Sequence, residues 1–426
     1  MTGGRPDRAR RASLFALQGM LLALLAFPDS VYSQDLKGLQ SFGECRTGYW
    51  SSSRNLDDVE DLGSSTCLLN LKLQPVANLR LAANTRLSHA YGSEGSSFRG
   101  RLREAYAQAE LGDVTLKLGR QIVVWGRSDR ISPTDLVSSR DFTARVPDDD
   151  EQRDGNDIAA ARWQVSSDVA ATFLVGRFEG HRVPTGSLPA NLVTLGKPNR
   201  PEYAAKIDRV GAGVDFSVSY FDGFDKAARY EFIQAGLVGR FQRHHERVQM
   251  AGFDFSTSTG RWTLRGEAAA FRMTSACTLC IGETLPPRKI QRAVLGVDRD
   301  FFDTTNLNFQ FFILERGSYK STGSLQGTQR LVADALDRLN SEFGAVERGL
   351  TLRLSERFFN DLLKLEASGL FDLNNNSQLL RARGSYAVND QVKIYAGVDS
   401  FRGQDQSYFG SRRKNSTAFI ELAWVF

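Results

Sequence analysis

The sequence has few of the residues and segments on which several protein classes depend. After Phe27, no window approaches the ~18 continuous apolar residues of a membrane-spanning helix. Cysteine, methionine and histidine occur only 4 times each, and the net charge is only +5 in 426 residues. A helical membrane protein is therefore excluded, and a nucleic-acid partner is not expected.

The histidines give no catalytic pattern. His89, His181, His244 and His245 lie in predicted loops or at predicted strand ends, and the chain has no Gly-x-Ser-x-Gly or His-Glu-x-x-His stretch. Neighbouring residues of a strand point to opposite faces, so His244 and His245 make a poor metal pair. We expect a protein that is not an enzyme and that has no metal and no cofactor.

The cysteines occur as two local pairs. Cys45 and Cys67 flank one predicted loop, and Cys277 and Cys280 lie together in another. Such pairs suit an oxidising compartment and predict two local disulfides. A single C-x-x-C stretch without a nearby histidine gives weak support to the alternatives, which are a zinc site and redox catalysis.

The N-terminus has the pattern of a secretory signal peptide. Four arginines precede the apolar run Leu14–Phe27, which is followed by Pro28 and the small-residue site Val31-Tyr32-Ser33. The apolar run is too short to span a membrane as a helix. We expect residues 1–33 to be removed on export, which leaves a mature chain of residues 34–426.

Period-two alternation is what the sequence has in quantity, and Ser416–Phe426 shows it most clearly. A strand there would carry Thr417, Glu421 and Ala423 on one face, and on the other Ala418, Ile420, Leu422, Trp424 and Phe426. An apolar strand that ends on an aromatic residue resembles the closing strand of Gram-negative outer-membrane β-barrels. An ordinary amphipathic strand of a soluble sheet is the alternative.

Eighteen such stretches, from Leu39–Trp50 to the closing strand, are joined by short turns and long loops in alternation, and Ser88–Gly100 is one of the predicted loops. Many carry charge on one face only, as Leu363–Phe371 does. Lipid outside and water inside satisfy both faces, whereas the inner faces of a soluble sandwich must be apolar. The sequence predicts an all-β fold, a single transmembrane antiparallel up-and-down β-barrel of about 18 strands. Sixteen strands is the alternative, because the first two strands and the reading of Phe224–His245 as a loop rest on the weakest patterns.

The connection Trp125–Asn156 is the most unusual. The order Arg120-Gln121, Trp125-Gly126, Pro133-Thr134-Asp135 and Arg140-Asp141 leads to the acidic run Asp148–Glu151. This order resembles a family of porin-like outer-membrane barrels of uncharacterised function, and residues 201–225 are similar to another segment of that family. The resemblance implies a barrel without agreed catalytic residues. For some members it also implies work beside an exporter or periplasmic carrier of hydrophobic molecules.

Two readings of this connection remain open. In the first, the loop folds into the lumen and narrows it, because Trp125, Ile131 and Phe142 are costly to leave in water. In the second, it is an outer loop with a solvated acidic run.

Basic residues dominate the predicted inward faces of the strands. A ring of fixed positive charge favours anions, and an acidic loop opposite it creates a transverse field. The alternative is that Glu104, Glu110, Glu267 and Glu366 pair with these cations and serve stability alone. The candidates for the pore lining or its constriction are Arg80, Arg86, Lys117, Gln121, Trp125, Asp148, Asp149, Asp150, Glu151, Arg265, Arg353, Arg381 and Arg383.

The loop 317–345 contains a short helical pattern. Leu331, Ala335 and Leu339 recur at helical spacing within Thr328–Phe343. Such a helix would cap the pore or pack on the barrel rim, and we favour the rim.

These patterns predict a channel in the outer membrane of a Gram-negative bacterium. It would pass small solutes or take part in the transport of a hydrophobic or anionic compound. Its partners would be outer-membrane lipid, a small-molecule solute and the barrel-assembly machinery during biogenesis, and the resemblance adds an exporter or periplasmic carrier. The alternative is a plugged structural or adhesive barrel whose outer loops bind a surface partner.

Overall fold

Eighteen antiparallel strands form one sheet that closes on itself. The computed structural model describes residues 38–52, 61–92, 95–183, 192–194, 196–211, 213–235, 238–274, 288–317, 319 and 321–426, so the predicted signal peptide, Cys277 and Cys280 lie outside the described residues. The strands are β1 (Leu39–Ser52), β2 (Asp61–Val76), β3 (Leu79–Gly92), β4 (Gly95–Leu111), β5 (Val114–Gln121), β6 (Asn156–Gln164), β7 (Val169–Gly176), β8 (Glu202–Arg209), β9 (Val214–Phe224), β10 (Arg247–Thr259), β11 (Trp262–Thr274), β12 (Arg288–Phe301), β13 (Thr305–Arg316), β14 (Val346–Phe358), β15 (Leu363–Asp372), β16 (Ser377–Ala387), β17 (Val392–Arg402) and β18 (Thr417–Val425).

The barrel closes between its first and last strands. β1 pairs with β2 on one side and with β18 on the other, from Glu44 opposite Val425 to Ser52 opposite Thr417. Phe426 continues this ladder, because its carbonyl accepts a hydrogen bond from the Gly43 amide at 2.8 Å. Each barrel strand therefore has two neighbours. The predicted barrel of 18 strands is confirmed, and the alternative of sixteen is wrong.

The two faces of each strand differ as the alternation predicts. On β11, Glu267 points inward and is 3% exposed, whereas Leu264 points outward and is 39% exposed. Charged and amide side chains line the lumen except for an apolar stretch on β6 to β12, and the outward face is mainly apolar. This is the arrangement that a barrel in lipid requires.

A substitution at Leu295 tests whether the outward face of the barrel is assigned correctly. It lies midway along β12 and is 51% exposed. Leu295→Arg should lower the free energy of unfolding by about 2–4 kcal/mol, because the cation would lie near the bilayer midplane. The same change at Leu365, the third residue of β15, should cost about 0–1 kcal/mol, since arginine can reach the interface there. Urea unfolding in liposomes measures both, and equal costs would contradict the depth that we assign to these residues.

Three connections differ from the prediction. The stretch Ser88–Gly100 is not a loop, because β3 and β4 extend until Gly92 pairs with Gly95. β15 and β16 are joined by only four residues at the outer end, so short turns and long loops do not alternate strictly. Phe224–His245 contains a hairpin of strands Arg229–Ala235 and Val238–His244, which also pairs with Leu192–Thr194. Small and polar residues continue the strands above the apolar band, and composition alone does not separate them from loops.

In the part of the chain that the structure describes, one α-helix, α1, spans Gly327–Asn340 within the predicted helical loop. The side-chain amide of Asn340 exchanges two hydrogen bonds with the backbone of Tyr230, each 2.8 Å long. The helix therefore packs on the hairpin of the β9–β10 connection. No helix in the described ranges is both long and apolar enough to span a membrane.

A disulfide joins the first two strands. Cys45 and Cys67 are opposite each other in the register of β1 and β2, with their Cα atoms 4.0 Å apart. The bridge thus lies between two paired strands and not at the edges of the loop that follows β1.

Candidate functional site: a loop across the lumen

The connection between β5 and β6, residues 122–155, turns into the barrel and is called the lumen loop below. β5 ends at Gln121, whose side chain is 2% exposed and donates to the Ile158 carbonyl at 3.0 Å. The next amides leave the sheet: Ile122 donates to Glu104 at 2.9 Å, and Val123 donates to the Ser138 hydroxyl at 2.7 Å. Polar side chains thus provide hydrogen-bond acceptors for the backbone amides that leave the sheet.

Apolar contacts hold the loop against one wall. Trp125 and Val137 are each 5% exposed. They pack on inward-facing residues of β6 to β12, namely Ile158, Leu174, Ala204, Phe221, Val248, Met250, Ala269, Phe271, Met273 and Ile290. Burial of a tryptophan side chain removes about 150–250 Å² from water and contributes about 4–6 kcal/mol. An apolar inner wall would be unfavourable in open water, and the loop covers it.

Glu267 is the main polar anchor on this wall. Its Oε1 accepts hydrogen bonds from the amides of Arg127 and Ser128, both at 2.6 Å. Its Oε2 accepts from the hydroxyls of Ser132 at 2.8 Å and Thr134 at 2.9 Å. The Thr134 amide also donates to Oε2, at 3.3 Å. One carboxylate therefore satisfies five donors of the loop, and hydrogen bonds to a charged group are the strong ones.

Arg127 adds a second anchor beside Glu267. Its Nε donates at 2.6 Å to Asp254 on β10, a residue that is fully buried. The Ser217 hydroxyl donates to the other oxygen of Asp254 at 2.5 Å. The buried carboxylate is thus paired and hydrogen-bonded, as a buried charge must be.

The other edge of the loop is bound to the opposite wall, where arginines meet loop carboxylates. Glu151 pairs with Arg46 of β1 at 2.5 Å, and Asp141 pairs with Arg86 of β3 at 2.8 Å. Further contacts join Asp149 to Arg381 and Arg383 on β16, Asp154 to Arg101 on β4, and Asp129 to Arg353 on β14. Since β10–β11 and β16–β1 lie on opposite sides of an 18-stranded barrel, the loop crosses the lumen.

The carboxylates of the acidic run differ in their electrostatic surroundings. Desolvation alone would raise the pKa of Asp149, but Arg381 and Arg383 hold that pKa below its ordinary value. Desolvation raises the pKa of Asp148, whose carboxylate accepts from the Asp150 amide at 3.0 Å. The acidic run therefore has two roles, because Asp149 and Glu151 meet the basic wall while Asp148 shapes the loop.

Some of the predicted candidates lie away from this network. Lys117 lies over the Tyr106 ring at 3.7 Å, and Arg265 pairs with Asp298 at 3.4 Å. Arg80 is exposed near the short-turn end of β3, and Asp150 pairs with Arg153 inside the loop at 3.2 Å. The structure brings together Arg86, Gln121, Trp125, Asp149, Glu151, Arg353, Arg381 and Arg383.

Sequence reasoning missed Arg46, Arg101, Arg127 and Asp254. Arg46 and Asp254 lie on predicted strands, so their alternation was a usable signal. Arg101 fell at the boundary of the stretch predicted as a loop, and nothing in the sequence pairs Arg127 with Asp254.

Two cavities flank the Asp141–Glu151 part of the loop. The outer vestibule, of about 280 Å³, is lined by basic and hydroxyl side chains that include Ser64, Thr66, Ser88, Arg86, Arg99, Arg101, Arg145 and Arg182. The inner cavity, of about 340 Å³, lies toward the chain termini beside Glu44, Asp148, Glu151 and Tyr395. The ion pairs Arg86–Asp141 and Arg46–Glu151 separate them. The cavities and these pairs form one line along β1 to β4.

The other side of the outer mouth is covered. Arg229 on the β9–β10 hairpin pairs with Glu342 after α1 at 3.0 Å, and Arg316 pairs with Glu347 at 2.7 Å. Arg288 also binds both Glu246 and Glu342. The hairpin and helix therefore meet above β11 and β12, and the outer vestibule lies on the uncovered side.

His181 joins the lumen loop to the loop that follows β7. Its Nδ1 accepts a hydrogen bond from the Arg140 amide at 2.9 Å, and its own amide donates to the Lys226 carbonyl at 2.8 Å. Desolvation, with Arg140, Lys226 and His245 nearby, lowers the pKa of His181 to about 3. The contact therefore requires a neutral ring.

Acid should weaken this contact. A released imidazole regains a pKa near 6.5, so the contact is fully stable above that pH and weakens as pH falls toward about 3. Each pH unit below 6.5 favours the released state by about tenfold. Current fluctuations in planar bilayers should increase between pH 7.5 and about pH 4.5. His181→Asn retains an acceptor and should remove much of this increase, whereas His89→Asn should keep it. An equal increase in all three proteins would assign it to carboxylates instead.

Comparison with known proteins adds information on the fold. No protein-family model and no curated protein matches the sequence. The solved structure of OpdK from Pseudomonas aeruginosa with vanillate matches with a TM-score of 0.56 at 12% identity, over 92% of this chain and 99% of that chain. The chain therefore has the fold of this solved structure.

Two further solved structures match about as well. OccK2 (OpdF) of Pseudomonas aeruginosa, in complex with glucuronate, has a TM-score of 0.55 at 11% identity and covers 92% of this chain and 98% of that one. OccAB1 of Acinetobacter baumannii has a TM-score of 0.55 at 9% identity and covers 93% of this chain and 99% of that one. At these identities the likeness concerns the fold alone.

Proposed function

We propose that this protein is an outer-membrane channel that passes small anionic solutes, with carboxylates as the first class to test. The observation that carries the proposal is the line of arginines along β1 to β4, which runs through the outer vestibule and past the lumen loop. Among the described residues, neither Arg99 nor Arg182 has a carboxylate within ion-pair distance. A narrow path with fixed cations concentrates anions.

The bound compounds of the similar structures support the same class. OpdK was solved with vanillate and OccK2 with glucuronate, and both compounds are carboxylates. A guanidinium group binds a carboxylate through two parallel hydrogen bonds, so unpaired arginines suit such solutes. The barrel fold and the apolar outward face support localisation in the outer membrane, and the signal peptide remains a prediction. So do the assembly machinery and an exporter or carrier as partners.

A plugged barrel is the second candidate. It is favoured by one observation: the lumen loop is bound to both walls by Glu267, Asp254, Arg46 and Arg383. A loop bound so firmly would suit a structural barrel whose outer loops bind a partner.

Single-channel recording separates the two candidates. The wild-type barrel should conduct and should prefer chloride over potassium, and vanillate or glucuronate should block the chloride current. Asp149→Asn with Glu151→Gln should increase anion preference by about two- to threefold, most clearly when low salt lengthens the Debye length to about 30 Å. Asp405→Asn, in an exposed outer-loop pair with Arg413, is the control and should change nothing. A barrel that inserts but never conducts would support the plugged alternative.

A further inference from the structure

Two cations face each other on the outside of the barrel. Arg272 on β11 and Lys289 on β12 are direct partners in the register, and both are exposed. They point outward, because the adjacent residues Phe271, Met273 and Ile290 belong to the cluster inside the lumen. Side chains opposed in this way have Cβ atoms about 4.5–5.5 Å apart, so like charges there repel each other.

No carboxylate of the described residues lies within ion-pair distance of Arg272 or Lys289. Glu315 lies on the same face, but its register partner is Gln291, which is two residues farther from the outer end than Lys289. Asp222, on the neighbouring β9, is held by Arg247 at 2.7 Å. Two cations and the single carboxylate of Glu315 therefore leave a net positive charge at the outer end of β11 and β12.

A largely apolar depression lies directly below the cation pair. It is lined by Ala251, Ala268, Ala270, Ala293, Phe253 and Ile313, and Gln291 and Glu315 lie at its edge nearest the cations. Its volume is about 430 Å³. The register places Ala270 two residues from Arg272, or about 7 Å nearer the membrane centre. Charge and depression thus form one continuous patch.

We propose that this patch binds a phosphorylated glycolipid of the outer leaflet. The phosphate lies between Arg272 and Lys289, and an acyl chain fills the alanine depression. Both cations are at the end of the barrel that carries the longer loops, opposite the described chain ends Gly38 and Phe426. A phosphate carries up to two negative charges and several acceptor oxygens, which match an ammonium beside a guanidinium. This inference rests on an outer-membrane location and does not depend on channel activity.

The same features disfavour the other occupants. A soluble anion would neutralise the cations but leave the depression unfilled. A second copy of the chain in a twofold contact would bring this patch against itself, and the cations would then meet like charges.

Retention of lipid tests the proposal. The folded barrel is extracted from outer membranes in a mild detergent, and bound lipopolysaccharide is measured by native mass spectrometry. Wild type should retain one molecule per barrel. Arg272→Gln with Lys289→Gln should reduce retention at least fivefold, and Ala270→Trp should reduce it by filling the depression with the charges intact. Arg247→Gln is the matched control, since this cation lies on the same face but is already paired with Asp222.

The outcomes are distinct. Loss of lipid in both kinds of variant, with heat-modifiable folding unchanged, supports the site. Equal retention in wild type and variants overturns it. Dissociation of an oligomer without any loss of lipid also overturns it, and assigns the patch to contact between copies.

Discussion

Glu267→Ala should release the lumen loop from the wall formed by β10 and β11. The carboxylate accepts from three backbone amides and two hydroxyls of the loop, and alanine would leave these donors without partners in a buried place. Removal of one side of such a charged network typically costs about 3–5 kcal/mol. These donors can regain partners only in water, and the loop must move away from the wall to reach it. Single-channel conductance should rise by on the order of twofold, with frequent transitions between levels.

Glu366→Ala is the matched control for this change. Glu366 also faces the lumen and also binds the loop, but through the single side chain of Arg130. Its loss leaves the loop amides satisfied, so conductance should change little. If the two variants have the same conductance, the carboxylate of Glu267 does not hold the loop.

Deletion of Trp424–Phe426 should prevent assembly of the barrel. Phe426 extends the ladder between β1 and β18 by two hydrogen bonds with Gly43, and its ring stacks on Trp424 at 5.0 Å between centroids. An unpaired sheet edge in lipid costs several kcal/mol per polar group, so folded protein in the outer membrane should fall by more than about tenfold. The measurement is the fraction of heat-modifiable protein in outer-membrane preparations.

Phe426→Tyr retains an aromatic ring and both backbone hydrogen bonds, and this variant should assemble normally. The deleted chain should accumulate in the periplasm and be sensitive to protease. Normal amounts of folded, membrane-inserted protein after the deletion would show that β1 and β18 pair without the last three residues.

The barrel could be predicted from the sequence because the alternation within each strand shows which residues face lipid and which face the lumen. Leu264 and Glu267 belong to one strand, and their separation by three positions already assigns one to lipid and the other to water. The ends of the strands were harder to predict, since Ser88–Gly100 contains polar residues that suit a loop as well as a strand above the membrane. The pattern that marks a strand is the contrast between faces, and this contrast fades outside the apolar band.

The contacts of the lumen loop could not be predicted in the same way. Arg127 and Asp254 are separated by 127 positions, and Arg46 and Glu151 by 105. Partners so far apart depend on which strands lie opposite in the closed barrel and on how the loop turns at Gln121. The low exposure of Trp125 agrees with the high cost of its hydration, but the hydration cost does not say which wall it meets.

The lumen loop also has a mechanical consequence. A tube made of one sheet bends easily across its strands, and an empty cross-section of 18 strands would become oval under lateral pressure. Residues 122–155 are fixed to Asp254 and Glu267 on one side and to Arg46, Arg381 and Arg383 on the other, so they act as a brace across the diameter. The shape of the passage beside the brace is then set by the length of this segment and not by the tension of the surrounding membrane.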